Sequence, residues 1–274
     1  MTDWKLLQEL CTARGISGRE DAVRAVILRE IKGYADEITV DPLGNVLVFK
    51  KGRERAKTKV MLSAHMDEVG FIVTSVTEDG YLKFTAVGGI DQRVMAGRGV
   101  LVGGRALPGV IGVKPIHLLE KDEREKGVAR QGLGVVIGAQ DREEALKAVQ
   151  PGDMVTFCSL FDASGGMIRS KAIDDRAGCA ILLGLLQSDL PYDLHFAFVV
   201  QEEVGLRGAK AAAYTIDPQA AIVVEATTAS DVAGVEPERQ VCRVGEGAVL
   251  SFMDGRTIYD REYYALAFRA AEAA

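Results

Sequence analysis

The sequence predicts an α/β fold in which a sheet layered with helices is interrupted by a small β-rich domain. After residue 170, apolar strands alternate with amphipathic helices, and this pattern predicts a parallel sheet. Between residues 69 and 161, short β-rich runs alternate with Gly and Pro turns and predict the inserted domain. The chain has 274 residues, of which 48% are hydrophobic, so it can bury the core that such a fold needs.

The N-terminal part of the chain predicts two helices followed by short strands. Residues 3–14 have apolar side chains at helical spacing, and Ser17 with Glu20 predicts a capping box at the start of a second helix. The Pro and Gly of residues 41–45 predict a turn between two strands. A short apolar run at 60–62 predicts a buried strand with polar residues at its carboxyl end.

The remaining elements follow from local patterns of the same kind. In the β-rich region, strands are predicted at 69–76, 81–87, 99–102, 109–113, 133–137 and 154–158, with one helix at 141–149. The charged stretch 120–126 is predicted to be an exposed loop. Further along, helices are predicted at 175–187, 205–213 and 260–272, and strands at 194–200 and 220–225.

Composition and charge exclude two classes of partner. The net charge is −6, so the basic surplus of a nucleic-acid-binding protein is missing. No run of 18 apolar residues occurs, which argues against a membrane span. The four cysteines are scattered singly, which is typical of reduced thiols in a cytoplasmic protein.

Acidic and histidine side chains cluster at the predicted strand ends and in the turns after them. The clusters are His65 with Asp67, Asp174 with Asp175, Glu202 with Glu203, and Glu225. In open α/β sheets, sites form at the carboxyl ends of strands, where an imidazole can bind a metal while a nearby carboxylate orients it. Two adjacent glutamates there repel each other unless a cation or a proton relieves the repulsion. Taken alone, the aspartate pair could equally be a helix cap.

Three of these clusters lie within longer motifs: AHMDEVGF at 64–71, KAIDDRAGC at 171–179 and QEEVGLRGA at 201–209. With FMDGRTIYD at 252–260, they make the chain resemble the dinuclear-metal aminopeptidases of the glutamyl and deblocking aminopeptidase family. That family includes tetrahedral aminopeptidases and proteins described as cellulases or endoglucanases. The resemblance implies a three-layer α/β/α catalytic domain formed by 1–68 and 162–274, with a β-rich lid or oligomerisation domain inserted at 69–161.

The resemblance also implies a role for each candidate residue. His65 and Glu225 would ligate one metal, Glu203 would ligate a second, and Asp174 would bridge the two. Glu202 would be the general base, and the Asp67 carboxylate would hydrogen-bond His65 and fix its tautomer. Asp175 stays open as an alternative bridge, although we favour Asp174. The implied cofactors are two divalent metal ions, zinc or cobalt, with manganese as a further option.

One departure from the family pattern concerns the second metal. Family members continue to a later histidine that ligates it, whereas this chain ends at Ala274. His117 and His195 are interpreted as structural, so the second site is expected to be weakened and metal occupancy to be weak or single. An alternative hypothesis is therefore a weakly active or inactive homologue that acts as an interaction subunit.

The implied partners are a peptide substrate and further copies of the chain, from a dimer up to a dodecamer. Recognition of an acidic N-terminal residue would need a basic side chain, and Arg207, Arg256 and Arg261 are unranked candidates. A second enzymatic hypothesis is glucan hydrolysis by Glu202 paired with Glu203 or Glu225. We disfavour it because adjacent glutamates on an extended chain point to different sides, and because aromatic residues, which bind sugars, are only 6% of the chain.

Overall fold

A computed structural model describes residues 4–115, 117 and 132–273. The stretch 120–126, predicted to be a loop, lies outside the described residues. The chain forms two compact units, residues 1–226 and residues 227–274. All of the candidate site residues except Arg256 and Arg261 belong to the first unit.

Most of the predicted elements are present, with boundaries shifted by a few residues. The helices are α1 (Trp4–Thr12), α2 (Asp21–Glu30), α3 (Arg142–Ala148), α4 (Ile173–Gln187), α5 (Arg207–Ile216) and α6 (Arg261–Glu272). The strands are β1 (Glu37–Val40), β2 (Val46–Lys50), β3 (Val60–His65), β4 (Gly70–Val76), β5 (Leu82–Val87), β6 (Gly99–Val102), β7 (Leu107–Gly112), β8 (Gly134–Val136), β9 (Met154–Phe157), β10 (Asp162–Ser164), β11 (Met167–Arg169), β12 (Leu194–Val199) and β13 (Ala220–Val223). Within the described part of the chain, no helix is long and apolar enough to cross a membrane.

The central sheet has the strand order β1-β2-β12-β3-β13. Strands β12 and β13 run parallel to β3, whereas β1 pairs antiparallel with β2 and β2 pairs antiparallel with β12. The parallel sheet predicted from the elements after residue 170 is confirmed for β12 and β13 beside β3, and the predicted turn between β1 and β2 is confirmed as well. A tight turn at 41–45 joins those two strands, and so short a connection can only reverse the chain.

Helices cover both faces of this sheet, as alternate residues of β12 show. Phe196 and Phe198 pack into a core with buried residues of α1, α2 and α4. Ala197 and Val199 face the other side, where they pack with Ala212 of α5. The predicted three-layer α/β/α architecture is confirmed.

The β-rich region forms a closed barrel with the strand order β4-β5-β8-β7-β6-β9. All six strands predicted between 69 and 158 are present, and they enclose a separate apolar core that includes Phe71, Leu82 and Val155. Closure pairs every barrel strand with two neighbours and so leaves no free sheet edge there. The assignment of 69–161 as a separate domain stays a prediction.

The capping box predicted for α2 is wrong. Glu20 occupies the N-cap position and makes no side-chain cap, and the Ser17 hydroxyl donates instead to Oδ2 of Asp67 at 2.6 Å. The helix begins three residues later than a Ser17 cap requires, so the hydroxyl is free to donate to a charged carboxylate, which is a strong acceptor.

The second unit, residues 227–274, contains α6 and a 3-10 turn at Pro237–Arg239. The side chain of Asp260 caps α6 by accepting hydrogen bonds from the amides of Glu262 and Tyr263. The aromatic ring of Phe252 packs edge to face on Tyr264 with centroids 6.2 Å apart. The predicted helix at 260–272 is confirmed.

Candidate metal centre

One imidazole and four carboxylates come together at the edge of the central sheet. His65 is 2% exposed, and its Nε2 lies 3.0 Å from Oδ1 of Asp174 and 3.3 Å from Oε1 of Glu225. In the described part of the chain, two groups have ligand atoms within 4.8 Å of one another. The first is His65, Asp174 and Glu225, and the second is His65, Glu202 and Glu203.

Sheet topology explains why residues far apart in sequence meet here. The adjacent strands β12, β3 and β13 are parallel, so their carboxyl ends share one edge of the sheet. His65 is the last residue of β3, Glu202 follows β12, and Glu225 follows β13. Asp174 reaches the same edge from the start of α4, where the backbone of Asp174 and Asp175 departs from helical geometry.

The protonation of His65 follows from its hydrogen bonds. Nδ1 lies 3.0 Å from the backbone oxygen of Asp67, which can only accept, so Nδ1 carries a proton. The Asp67 carboxylate is farther from Nδ1, at 3.5 Å. The backbone oxygen of Asp67 is thus the nearer acceptor, and the expectation that its carboxylate orients His65 stays a prediction.

The Asp67 carboxylate holds the loop that carries the two glutamates. It is fully buried and accepts hydrogen bonds from the amides of Glu202 at 2.9 Å and Glu203 at 3.1 Å. The chain turns here, since the amides of Gly205 and Leu206 both donate to the carbonyl of Glu202. Both glutamate side chains consequently approach His65, because the chain here is not the extended strand on which adjacent side chains point to different sides.

The two aspartates of the KAIDDRAGC motif have different surroundings. Asp175 is fully buried, and its carboxylate accepts hydrogen bonds from the amides of His65 and Gly178, each at 3.0 Å. The Asp174 side chain is 59% exposed and faces Nε2 of His65. Asp174, rather than Asp175, therefore has carboxylate oxygens available to a ligand.

The crowding of acidic groups shifts their protonation. Burial, together with Asp174 and Glu202 and against the effect of His65, raises the pKa of Glu203 to about 7. Burial and Glu225 raise the pKa of Asp175 to about 8, and burial also raises the pKa of Glu202. Burial alone would lower the pKa of His65, but hydrogen bonds to neighbouring carboxylates outweigh it and raise that pKa.

This cluster has the chemistry of a divalent cation site. Imidazole and carboxylate donors without a thiolate suit zinc, cobalt or manganese. A cation would take the place of the protons that the raised pKa values retain, and would relieve the repulsion between the carboxylates. The residues present therefore fit the metals that the sequence motifs imply.

The other predicted residues lie elsewhere or are not part of this cluster. His195 stands at the opposite end of β12 from Glu202, with its ring 4.9 Å from that of Phe49. His117 is exposed. Arg207 begins α5, while Arg256 and Arg261 belong to the second unit.

Sequence reasoning missed three buried polar residues that hold the loop after β12. Ser17 donates to Asp67, and Glu20 accepts a hydrogen bond from the amide of Gln201 at 3.2 Å. Asn45 accepts from the amide of Val200 at 2.9 Å and donates to a backbone carbonyl of α5. In the sequence, Asn45 is simply the last residue of the predicted turn at 41–45. Asparagine is common in turns, so nothing there indicated a second role.

Comparisons with known proteins agree with this geometry. The family model of M42 glutamyl aminopeptidases matches residues 44–274. A glutamyl aminopeptidase of Lactococcus lactis is 33% identical over 263 residues, which are 90% of this chain and 72% of that protein.

Two solved structures extend the likeness to three dimensions. A TET aminopeptidase from a marine sediment thaumarchaeon has a TM-score of 0.93 and is 35% identical to this chain. The match covers 98% of this chain and 77% of that protein. The TET1 peptidase of Pyrococcus horikoshii has a TM-score of 0.84 and is 35% identical, and the match covers 98% of this chain and 81% of that protein. That peptidase can assemble into a tetrahedron or a large octahedral shell. From its motifs, its fold and these likenesses, the chain belongs to the M42 glutamyl aminopeptidase family.

Proposed function

We propose that this chain is a metal-dependent aminopeptidase that removes N-terminal residues from oligopeptides. The observation that carries the proposal is the convergence of His65, Asp174, Glu202, Glu203 and Glu225 at one sheet edge. Family membership supplies the reaction class, and the cluster supplies the groups that the reaction needs.

In this proposal, His65, Asp174 and Glu225 hold one divalent cation, and Asp174 and Glu203 hold a second. Cations bound there would supply Lewis acidity, which polarises a scissile carbonyl and lowers the pKa of water. The second set has fewer protein ligands, so we expect it to be weaker than the first.

Glu202 is the proposed general base. Its Oε2 lies 3.9 Å from Nε2 of His65, beside the proposed ligands but outside the first group. Burial raises its pKa above that of a free glutamate, which brings the carboxylate closer to the value that suits proton transfer near neutral pH. Glu202 would take a proton from the attacking water and deliver it to the leaving amine.

The acidic surroundings also suit the N-terminal α-amine of a peptide substrate. A free α-amine is cationic at neutral pH, so a site rich in carboxylates favours an N-terminal residue over an internal peptide bond. The TET1 peptidase of Pyrococcus horikoshii can assemble into a tetrahedron or an octahedral shell, and we propose that this chain is likewise a homo-oligomer. The barrel would act as the lid or oligomerisation domain, and a cytoplasmic location stays a prediction.

A peptidase assay on the metal-depleted chain tests this proposal. Purified protein is resupplied with zinc, cobalt or manganese and given p-nitroanilides of Leu, Glu, Ala and Lys, with Glu202→Gln as the matched variant. We expect metal-dependent turnover that Glu202→Gln lowers by at least about a hundredfold, because an amide cannot accept the proton. The preferred anilide identifies the N-terminal residue that the site accepts.

Two outcomes would contradict the proposal. Hydrolysis of cellulose oligomers that survives a chelator would indicate a carboxylate-pair glycosidase, since that mechanism needs no metal. A folded protein that binds cobalt but cleaves none of the anilides would instead favour the hypothesis of an interaction subunit.

A further inference from the structure

Three consecutive backbone amides after β12 donate to buried carboxylates. The amide of Gln201 donates to Oε1 of Glu20 at 3.2 Å, and those of Glu202 and Glu203 donate to the two oxygens of Asp67 at 2.9 and 3.1 Å. Asp67 in turn accepts the hydroxyl hydrogen of Ser17. The segment that carries the proposed base and a proposed metal ligand is thus held through its main chain.

This anchoring matters because the described chain offers the two carboxylates few hydrogen bonds of their own. There, the carboxylates of Glu202 and Glu203 accept no hydrogen bond from a backbone or side-chain donor, apart from their approach to His65. Their positions consequently depend on the course of the backbone. That course is unusual at Gln201, whose φ of 54° lies in the left-handed region that a non-glycine residue seldom adopts.

Glu20 is well placed to fix this conformation. It is 2% exposed, and its Oε1 also accepts the amide of Gly18 at 2.6 Å, so the carboxylate is itself held by its own turn. It makes no cap to α2 although it precedes that helix. A buried carboxylate that caps nothing and instead bonds to a loop 181 residues away serves that loop rather than its own helix.

We propose that Glu20, assisted by Ser17, is a positioning residue that sets the backbone of Gln201–Glu203 and thereby aims Glu202 and Glu203 into the metal cluster. The inference deepens the proposed function and rests on it for its catalytic consequence. Glu20 and Ser17 lie before residue 44, outside the part of the chain that the family model matches.

Three variants and one control separate this role from a general effect on folding. Glu20→Ala removes the acceptor of the Gln201 amide, whereas Glu20→Gln keeps a carbonyl oxygen of the same reach. Ser17→Ala removes only the hydroxyl that supports Asp67, so it tests the other arm if Glu20→Ala does not fold. Asp21→Ala is the control, because Asp21 is the next residue, its side chain is 82% exposed and, among the described residues, it forms an ion pair with Arg24 alone.

Two readouts are needed, one of catalysis and one of the loop itself. We expect Glu20→Ala to lower kcat by about 10- to 100-fold with a smaller change in KM, since misplacement of a catalytic group by about 1 Å has that effect. Hydrogen exchange of the peptide that spans 200–206 should become at least about tenfold faster. Glu20→Gln should keep kcat within about threefold, Ser17→Ala should lower it by about threefold or more, and Asp21→Ala should change neither readout.

The two proposals fail in distinguishable ways. A lower melting temperature for Glu20→Ala, with unchanged kcat and unchanged exchange of 200–206, would overturn the positioning role and make Glu20 a structural residue of α2. Equal losses in Glu20→Gln and Glu20→Ala would also overturn it, because the acceptor oxygen would then not be the cause. If the parent chain has no peptidase activity, the proposed function fails, and the exchange measurement alone decides the role of Glu20.

Discussion

At the scale of single residues, the metal cluster depends on one position where a side chain is absent. A Cβ on Gly178 would collide with the carboxylate of Asp175 and lie 2.7 Å from the carbonyl oxygen of Val224. Asp175 bonds the amide of His65, and Val224 directly precedes Glu225. Gly178 therefore lets α4 approach two strands that carry proposed ligands.

Gly178→Ala should damage both stability and metal binding, whereas Gly184→Ala should not. Both glycines lie in α4, but a Cβ on Gly184 meets no atom within 4 Å. We expect Gly178→Ala to lower the free energy of unfolding by about 2 kcal/mol, as overpacking does. Gly184→Ala should raise it by up to about 1 kcal/mol through helix propensity. Urea denaturation measures the first effect, and cobalt titration of each folded variant measures the second.

Equal stabilities and equal cobalt affinities for the two glycine variants would show that α4 can move away from the sheet without cost. The predicted difference between Gly178 and Gly184 would then be wrong. An expression level too low for Gly178→Ala, with normal yield of Gly184→Ala, would agree with the collision.

The residues that perform chemistry could be predicted from the sequence, whereas the residues that support them could not. His65, Asp174, Glu202 and Glu225 are histidine and acidic residues at predicted strand ends or the turns after them, a signal that is visible locally. Glu20 bonds to a residue 181 positions away, and no local pattern reports such a partner. A Ser and a Glu three residues apart fit a capping box equally well.

At the scale of elements, a buried ion pair joins the end of β3 to the start of α4. Nζ of Lys171 lies 2.8 and 3.0 Å from the two carboxylate oxygens of Glu68, and their side chains are 8% and 3% exposed. Lys171 also donates to the carbonyl of Ala13 just after α1. Three elements therefore meet at one buried charge pair, three residues before Asp174.

Lys171→Met should destabilise the chain far more than a matched change at the surface. The variant removes the nearer of two cations from the buried Glu68 carboxylate and leaves Arg176, whose Nη2 lies 3.7 Å away, so we expect a loss of up to about 3–5 kcal/mol. The control is Arg142→Met, because Arg142 pairs with Glu78 at the same distance of 2.8 Å but with side chains 52% and 84% exposed. That change should cost less than about 1 kcal/mol. Chemical denaturation of both variants gives the comparison.

The double variant Glu68→Gln with Lys171→Met checks the cause. If the unpaired charge is responsible, removing both charges should recover part of the lost stability. A double variant less stable than the sum of the single losses would indicate that packing of the lysine stem, rather than charge, holds the elements together.

The elements themselves were largely predictable, while their pairing was not. Short β-rich runs between Gly and Pro turns identified all six barrel strands, because each signal is local. Barrel closure depends on distant pairs such as Phe71 with Val155. The antiparallel placement of β2 beside β12 depends on pairs such as Phe49 with His195, which are still farther apart in sequence. No periodicity encodes such a register.

At the scale of the whole molecule, the acidic cluster makes stability depend on pH in a direction that a cation should change. Without a cation, the pKa values of Glu203, about 7, and Asp175, about 8, stand above their ordinary values in an unfolded chain. The raised pKa of His65 acts in the same direction. Between about pH 4 and pH 8, the folded chain therefore binds more protons than the unfolded chain, and this contribution to stability is lost as the pH rises.

Metal binding should have the opposite pH dependence, because cations compete with the same protons. We expect the metal-free chain to have a higher melting temperature at about pH 6 than at about pH 8.5, and saturating cobalt to raise the melting temperature more at the higher pH. Asp67, whose pKa is lowered, contributes stability that is lost only in acid, below its ordinary value. Thermal denaturation with and without cobalt at both pH values measures the effect, and calorimetry in buffers of different ionisation enthalpy counts the protons released. A cobalt-induced shift that is equal at the two pH values, with no proton release, would mean that the cation binds away from these carboxylates.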